Sequence, residues 1–161
     1  MVGAGDFNGD GQADLVWENS VTGQREIWLM NNGVPITAIR LETLGPNWHI
    51  AGVADFLGNG QSDLVWENRV TGERTIWLMN NGTPTSAINL GRVGTNWHIA
   101  GAGDFMGTGQ ASLVWENTLN GRRLIWVLQK GNPFPQSICL RSPWSGRSWI
   151  TSNAARIANS E

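Results

Sequence analysis

The chain has 161 residues and a formal net charge of −2, with 11 Lys and Arg against 13 Asp and Glu. Its length suits one domain with a hydrophobic core, and its scattered basic residues argue against nucleic acid as a partner. A single cysteine excludes an intramolecular disulfide, and no apolar run approaches the roughly 18 residues of a membrane span. We therefore expect one domain without membrane insertion.

The sequence repeats itself with a period of 49 residues. Residues 6–54 and 55–103 align without a gap and differ at 16 of these positions. A third copy begins at Asp104, keeps "LVWEN" and "IW", and then diverges. Repetition of this kind indicates a fold that is built from one unit used several times.

Each copy contains β-type segments separated by glycine-rich turns. In the second copy the segments cover residues 49–56, 62–68, 74–80 and 86–93, in chain order. The turns carry Thr-Gly and Asn-Gly pairs, which favour tight hairpins, and no stretch has a sustained helical period with caps at both ends. Four antiparallel strands per 49 residues are typical of one blade of a β-propeller.

The stretches "GDFNGDGQADLVWEN" and "TGQREIWLMNNG" resemble the FG-GAP or VCBS repeats of integrin-α-like propellers and of many bacterial secreted proteins. The resemblance implies an all-β fold, a β-propeller of four-stranded blades with three blades per chain. It also implies a secreted or cell-surface protein, although the N-terminus lacks the features of a signal peptide. We expect blade 1 over residues 1–54, blade 2 over 55–103, blade 3 over 104–145 and, over 146–161, a C-terminal segment that completes a neighbouring blade.

The acidic loop of the first copy is a candidate calcium site. Its side-chain donors stand at positions 1, 3, 5 and 9, with the Gln12 carbonyl available at position 7; they are Asp6, Asn8, Asp10 and Asp14. Crowded oxygen donors suit Ca²⁺, and the resemblance implies calcium loops in integrin-like blades. An EF-hand is excluded because position 12 is Trp17 and the following sequence is strand-like. The alternative is an Asx-rich turn that needs no ion.

The other two copies offer an internal comparison for this loop. The second copy has the apolar Leu57 at position 3, so we expect it to bind calcium less tightly. The donors that the second loop retains are Asp55, Asn59, Gln61 and Asp63. The third copy has Met106 and Thr108 at positions 3 and 5, and we expect no calcium site there.

Tryptophan recurs at residues 17, 66 and 115 and at residues 28, 77 and 126. A large flat side chain at one fixed position in every copy is explained by packing between neighbouring blades. The alternative is that some rings form sugar-stacking platforms, as in fungal propeller lectins of similar repeat type. The candidate ligand-binding residues are Trp48, His49, Trp97 and His98.

The recurring polar residues do not suggest a catalytic centre. His49 and His98 occupy equivalent positions in adjacent copies, whereas a unique catalytic centre would not be expected to repeat. The chain has no GxSxG, HExxH, P-loop or dinucleotide fingerprint. We predict a non-enzymatic protein in which Glu18, Glu67 and Glu116 make hydrogen bonds between strands or between blades.

Three blades do not close a ring, and an open fan leaves two tryptophan-rich faces in water. The simplest cover is a homodimer with twofold symmetry, in which three plus three blades form a six-bladed ring. Alternatively, the chain is a fragment of a longer propeller.

The predicted function is that of a calcium-binding module for adhesion or for binding a ligand such as a glycan or a protein surface. A structural oligomerisation scaffold with no small-molecule ligand is the second hypothesis. A propeller-type lyase or hydrolase is the third, because the fold alone does not decide function.

Overall fold

The computed structural model describes residues 1–140 and 150–152 of the chain. The first sheet contains β1 (Gly3–Gly5), β2 (Asp14–Glu18), β3 (Arg25–Asn31) and β4 (Val34–Arg40). The second contains β5 (Trp48–Ala54), β6 (Asp63–Asn68), β7 (Glu73–Asn80) and β8 (Thr83–Arg92). The third contains β9 (Trp97–Gly103), β10 (Ser112–Asn117), β11 (Arg123–Gln129), β12 (Asn132–Leu140) and β13 (Ile150–Ser152).

Strand order in every sheet follows the order of the chain, and all paired strands are antiparallel. The predicted all-β unit of four antiparallel strands is therefore confirmed. The described residues contain no helix, and hence none that is long and apolar enough to cross a membrane.

The sheets are offset from the sequence repeat. The expected blade boundaries fall after residues 54 and 103, but β5 pairs with β6 and β9 pairs with β10. The second and third sheets thus take their first strand from the end of the preceding sequence copy. The covalent connection between consecutive sheets is therefore the loop just before β5 and the loop just before β9.

The C-terminal pairing also differs from the expectation of a segment that completes a neighbouring blade. Residues 150–152 pair with β12 and add a fifth strand at the outer edge of their own sheet. The physical reason is that an edge strand offers unpaired N–H and C=O groups to any further strand. The rest of the predicted segment, residues 146–149 and 153–161, lies outside the described residues.

The third and fourth strands of each sheet are joined by a tight two-residue turn. Asn32 and Gly33 have φ angles of 49° and 79°, and Asn81 and Gly82 have φ angles of 49° and 72°. Positive φ at both central residues is the type I′ geometry that Asn-Gly favours. The third turn places Lys130 at a φ of 50°, a conformation that is less favourable for lysine than for asparagine.

The two faces of each sheet carry different side chains because successive residues of a strand point to opposite sides. In the first sheet Val16 pairs with Ile27 on one face, which we call the valine face. Leu15 pairs with Trp28 on the other face, which we call the tryptophan face. The equivalent faces of the second and third sheets carry the same names.

The hydrophobic core lies between the sheets. The valine face of the first sheet packs on the tryptophan face of the second, where Trp66 is fully buried. The valine face of the second sheet packs in the same way on the tryptophan face of the third, where Trp115 is buried. The predicted role of these two tryptophans in packing between blades is therefore confirmed.

Candidate functional site

The first acidic loop is held by hydrogen bonds between its own residues. The Asp6 carboxylate accepts three backbone N–H groups of the loop at 2.6–3.2 Å. Asn8 Oδ1 accepts the N–H of Asp10 at 3.0 Å, and Asp10 Oδ1 accepts the N–H of Gln12 at 2.8 Å. Each of these side chains bonds a backbone group a few residues further on, which is the geometry of Asx turns.

Asp14, at position 9 of this loop, is fully buried, and its carboxylate accepts two backbone N–H groups. Its carboxylate accepts the N–H of Phe7 and the N–H of Met30, both at 2.8 Å. Asp63 repeats the arrangement in the second sheet, with bonds of 3.0 and 2.9 Å. The second loop has the apolar Leu57 at position 3, yet Asp63 keeps both bonds. The bonds to backbone therefore explain the buried aspartate with or without a metal.

Burial has a clear electrostatic effect on Asp63. Loss of solvent, with a smaller effect from the negative charge of Asp55, raises the pKa of the Asp63 carboxyl to about 6. The two N–H groups that the carboxylate accepts act in the opposite direction, because they stabilise the charged form. Removal from water is the larger effect.

The third loop shows that this turn forms with a single carboxylate. Asp104 accepts the N–H groups of Met106, Thr108 and Gly109 at 2.7–3.2 Å, and these bonds lower the pKa of its exposed carboxyl. Position 9 is occupied by the buried Ser112. The turn geometry is therefore a property of the backbone and of the first aspartate.

The fit of the loops to calcium is partial. Among residues 1–140 and 150–152, no three His, Cys, Asp or Glu side chains are arranged to hold a metal ion. In the first loop Asp6, Asn8 and Asp10 keep oxygen lone pairs at the surface and fit an oxygen-seeking cation. Asp14 does not, because its carboxylate is fully buried and its two oxygens accept the N–H groups of Phe7 and Met30.

Glu18 and Glu67 connect successive sheets, as predicted for this series. Glu18 accepts the N–H of Ile50, the second residue after the start of β5, at 3.2 Å, and its other oxygen lies 3.2 Å from His49 Nδ1. Glu67 makes the same pair of contacts with the third sheet at 3.0 and 2.7 Å. Both carboxylates are nearly buried, so these bonds satisfy charges that water does not reach.

Each of these glutamates faces a buried arginine that the sequence reasoning did not identify. Arg25 donates to Glu18 at 3.0 Å and to the carbonyls of Gly23 and Trp48, and its guanidinium lies 4.9 Å from the centre of the Trp66 ring. The recurrence of arginine at residues 25, 74 and 123, seven residues after each glutamate, is the signal that could have revealed it.

Arg74 repeats this contact between the second and third sheets. It donates to the carbonyls of Val93 and Trp97 at 3.3 and 2.5 Å, and it lies 5.6 Å from the centre of the Trp115 ring. Burial lowers the pKa of the Arg74 guanidinium, and the charge of Glu67 opposes this change. Arginine remains charged at neutral pH in proteins, so the pair is a buried ion pair.

The four candidate ligand-binding residues do not meet in one pocket. Trp97 is 5% exposed and belongs to the core, whereas Trp48 is half-buried. His49 and His98 lie on different sheets, and each contacts the glutamate of the preceding sheet. Their surroundings are those of an inter-sheet connection.

A groove between β4 and β8 forms a concave surface that contains polar and aromatic side chains. Its volume is about 480 Å³. One wall contains the half-buried ring of Trp77, which none of the sequence-based site predictions included. The other lining residues are polar (Arg40, Glu42, Thr83, Thr85 and Ser86) or apolar (Leu41, Pro84 and Ala87).

Stacked antiparallel four-stranded sheets with a shared set of inter-sheet contacts define a β-propeller-like repeat protein. Residues 3–66 match the family model of the FG-GAP-like repeat. This match supports an FG-GAP-type repeat protein. No curated protein and no solved structure matches it significantly.

Proposed function

We propose that this chain is a non-enzymatic β-propeller module that binds a glycan or a protein surface in the groove between β4 and β8. The groove itself supports the proposal, because its volume of about 480 Å³ falls in the usual range for ligand sites. FG-GAP-type repeats are typical of extracellular proteins, and we propose that this module also acts outside the cell, in adhesion or ligand capture.

The chemistry of the groove suits an amphipathic ligand such as a sugar. The flat ring of Trp77 offers a surface on which the apolar face of a sugar ring can stack. Arg40 and Glu42 supply a donor and an acceptor for hydroxyl groups beside that ring. Tryptophan and arginine are also the residues that contribute most strongly to binding at protein surfaces.

A glycan array followed by titration of the tryptophan fluorescence tests this proposal. We expect at least one sugar to change the fluorescence, and Arg40→Ala to weaken its binding about tenfold while leaving the fold intact. Arg69→Ala is the matched control, because Arg69 is similarly exposed and lies outside the groove lining. Equal effects of the two substitutions would exclude the groove as the binding site.

A structural scaffold is the second candidate function, because the outer faces of the first and third sheets have no neighbouring sheet among the described residues. If no sugar, peptide or protein ligand changes the fluorescence or binds the immobilised chain, the scaffold becomes the better description. Turnover of a glycan found on the array would contradict the non-enzymatic part of the proposal.

We propose separately that the first loop binds Ca²⁺ through Asp6, Asn8, Asp10 and the carbonyl of Gln12. With few charged donors the affinity should be low, with a dissociation constant of about 10⁻⁴–10⁻³ M. Asp14 is not expected to contribute, because its carboxylate is fully buried and bonded to the N–H groups of Phe7 and Met30.

The calcium proposal is tested by the melting temperature with and without millimolar Ca²⁺. Asp6→Asn should abolish the calcium-dependent increase, whereas Asp104→Asn, the same change at the same loop position of the third sheet, should preserve it. Both variants alter similar turn hydrogen bonds, so any difference between them reports the ion. No increase for the unaltered chain would refute the site without affecting the groove proposal.

A further inference from the structure

Two faces at the ends of the stack have no neighbouring sheet among residues 1–140 and 150–152. They are the tryptophan face of the first sheet and the valine face of the third sheet, which we call the end faces. Phe105, beside the valine face of the third sheet, is 51% exposed, whereas its equivalents Phe7 and Phe56 are fully buried between sheets. Trp17 is half-buried, whereas its equivalent Trp66 is fully buried.

The end faces carry the same side chains that meet twice inside the chain. Arg25 stacks on Trp66 across the first interface, and Arg74 stacks on Trp115 across the second. The third arginine, Arg123, has a side chain that is 57% exposed and bonded to Glu116, with no aromatic ring over it among the described residues. The tryptophan that would complete the series is Trp17, on the opposite end face.

Backbone hydrogen bonds between sheets form a second series whose next member would join the two ends of the stack. The Asp6 carbonyl accepts the N–H of Ser62 at 2.6 Å, and the Asp55 carbonyl accepts the N–H of Ala111 at 2.8 Å. The sequence repeat makes Asp104 and Ala13 the next pair, one at each end of the stack.

The glycines of the hairpin turns also indicate that the first sheet lacks a neighbour on its tryptophan face. A side chain at Gly82 would meet Ile39 of the preceding sheet, and one at Gly131 would meet Ile88. At Gly33, which belongs to the first sheet, no atom lies within 4 Å. The first sheet is thus shaped to receive a preceding sheet.

We propose that a second copy of this chain covers both end faces. The valine face of the third sheet of each copy docks on the tryptophan face of the first sheet of the other copy, and Arg123 of one copy stacks on Trp17 of the other. The internal interfaces serve as the template, because each already joins these two kinds of face. The occupant is a second copy because only this chain is shown to carry a surface that fits each end face.

Two such contacts close the assembly into a ring of six sheets. A head-to-tail contact repeated between copies forms a closed ring or an open filament, and closure leaves no apolar end face in water. Six blades lie within the usual range of four to eight for propellers. The proposal requires neither the glycan ligand nor calcium, so its failure would leave both of those proposals standing.

Light scattering at several protein concentrations, with the full chain, provides the first test. We expect a mass of twice the 17.6 kDa of the chain. A mass of one chain at every concentration would overturn the proposal. A mass above two chains would overturn the six-bladed ring, because it indicates a larger ring or a filament.

Two variants then distinguish a head-to-tail contact from a contact between like faces. Phe105→Asp alters the third-sheet end and Ala13→Glu alters the first-sheet end, and both positions are exposed in the single chain, so the fold should survive. Each variant alone should have the mass of one chain and a dissociation constant raised at least about tenfold. Val21→Glu, in an exposed turn away from both faces, is the control and should remain a dimer.

Mixing the two variants gives the decisive result. A heterodimer of Phe105→Asp with Ala13→Glu has one interface with two altered sides and one interface with none. We therefore expect the mixture to recover the mass of two chains, although neither variant dimerises alone. If only one of the variants dissociates, or if the mixture stays monomeric while circular dichroism shows both variants folded, the head-to-tail arrangement is wrong.

Discussion

Replacing Arg74 by methionine should destabilise the fold far more than a surface arginine substitution in the same sheet. Arg74 and Glu67 form an ion pair at 3.5 Å in which both side chains are almost completely buried. Methionine retains an unbranched apolar stem that can pack on Trp115, so the main loss is the charge and its hydrogen bonds to the carbonyls of Val93 and Trp97.

The magnitude follows from burial. Removing one partner of a buried pair leaves an uncompensated charge, which costs about 3–5 kcal/mol. Glu67 retains His98 and the N–H of Ile99, so we expect the lower end of that range. A loss of about 3 kcal/mol is a large share of the roughly 5–15 kcal/mol by which domains are stable.

The assay is urea unfolding followed by far-ultraviolet circular dichroism, at one protein concentration so that association does not alter the comparison. Arg92→Met is the control. Arg92 lies 2.7 Å from Glu73, but the Arg92 side chain is 70% exposed, so its loss should destabilise the fold much less than the loss of Arg74. Adding Glu67→Gln to Arg74→Met should recover about 1 kcal/mol or more, because it removes the unpaired charge.

Equal losses for Arg74→Met and Arg92→Met would refute this reasoning. Such a result would mean that burial does not govern the strength of these pairs and that the arginine connection between sheets is unimportant for stability. The same outcome would weaken the proposed contact between copies, since that contact relies on Arg123 becoming buried in the way Arg74 is.

Three further predictions concern single residues. The Asp63 pKa of about 6 in the folded chain exceeds the ordinary 3.8, so the folded chain binds a proton more readily than the unfolded chain does. The stabilisation from this group is therefore fully present below pH 4 and falls by up to about 3 kcal/mol as the pH rises through 6. Asp63→Ser, which copies Ser112, should remove this part of the pH dependence in urea unfolding, and an unchanged slope would contradict the assignment. Gly82→Ala should lower the melting temperature more than Gly60→Ala, because both have positive φ but only the residue at 82 faces Ile39; equal decreases would argue against tight packing there. Lys130→Asn should stabilise the third hairpin by up to about 1 kcal/mol, whereas Lys130→Ala should not, as thermal unfolding would show.

The fold could be predicted from sequence because its signals are local and are written three times. Asn-Gly pairs specify tight turns through the φ angles that they tolerate, and alternation along each strand separates Val16 from Trp17. The glutamate series could also be predicted, since buried carboxylates need partners. The bounds of the sheets could not be taken from the repeat boundaries at residues 54 and 103, because β5 and β9 belong to the sheets of the strands that follow them, β6 and β10.

The candidate site was harder to predict because side-chain direction depends on packing. Asp10 and Asp14 look alike in the sequence, yet Asp10 stays on the exposed loop while Asp14 points into the sheet and bonds Phe7 and Met30. The groove beside Trp77 arises only where two sheets come together, and its two lining segments, 40–42 and 77–87, are more than 30 positions apart along the chain.

The sequence by itself determined the repeating unit, its four strands, its turns and the alternation of its two faces, because these depend on neighbouring residues. The tertiary structure alone decided that Arg25 and Arg74 are buried while Arg123 is exposed, although all three have the same local surroundings. The physical reason is that burial of a charged group depends on whether another sheet covers it, and the first two arginines have such a sheet while the third, among the described residues, does not.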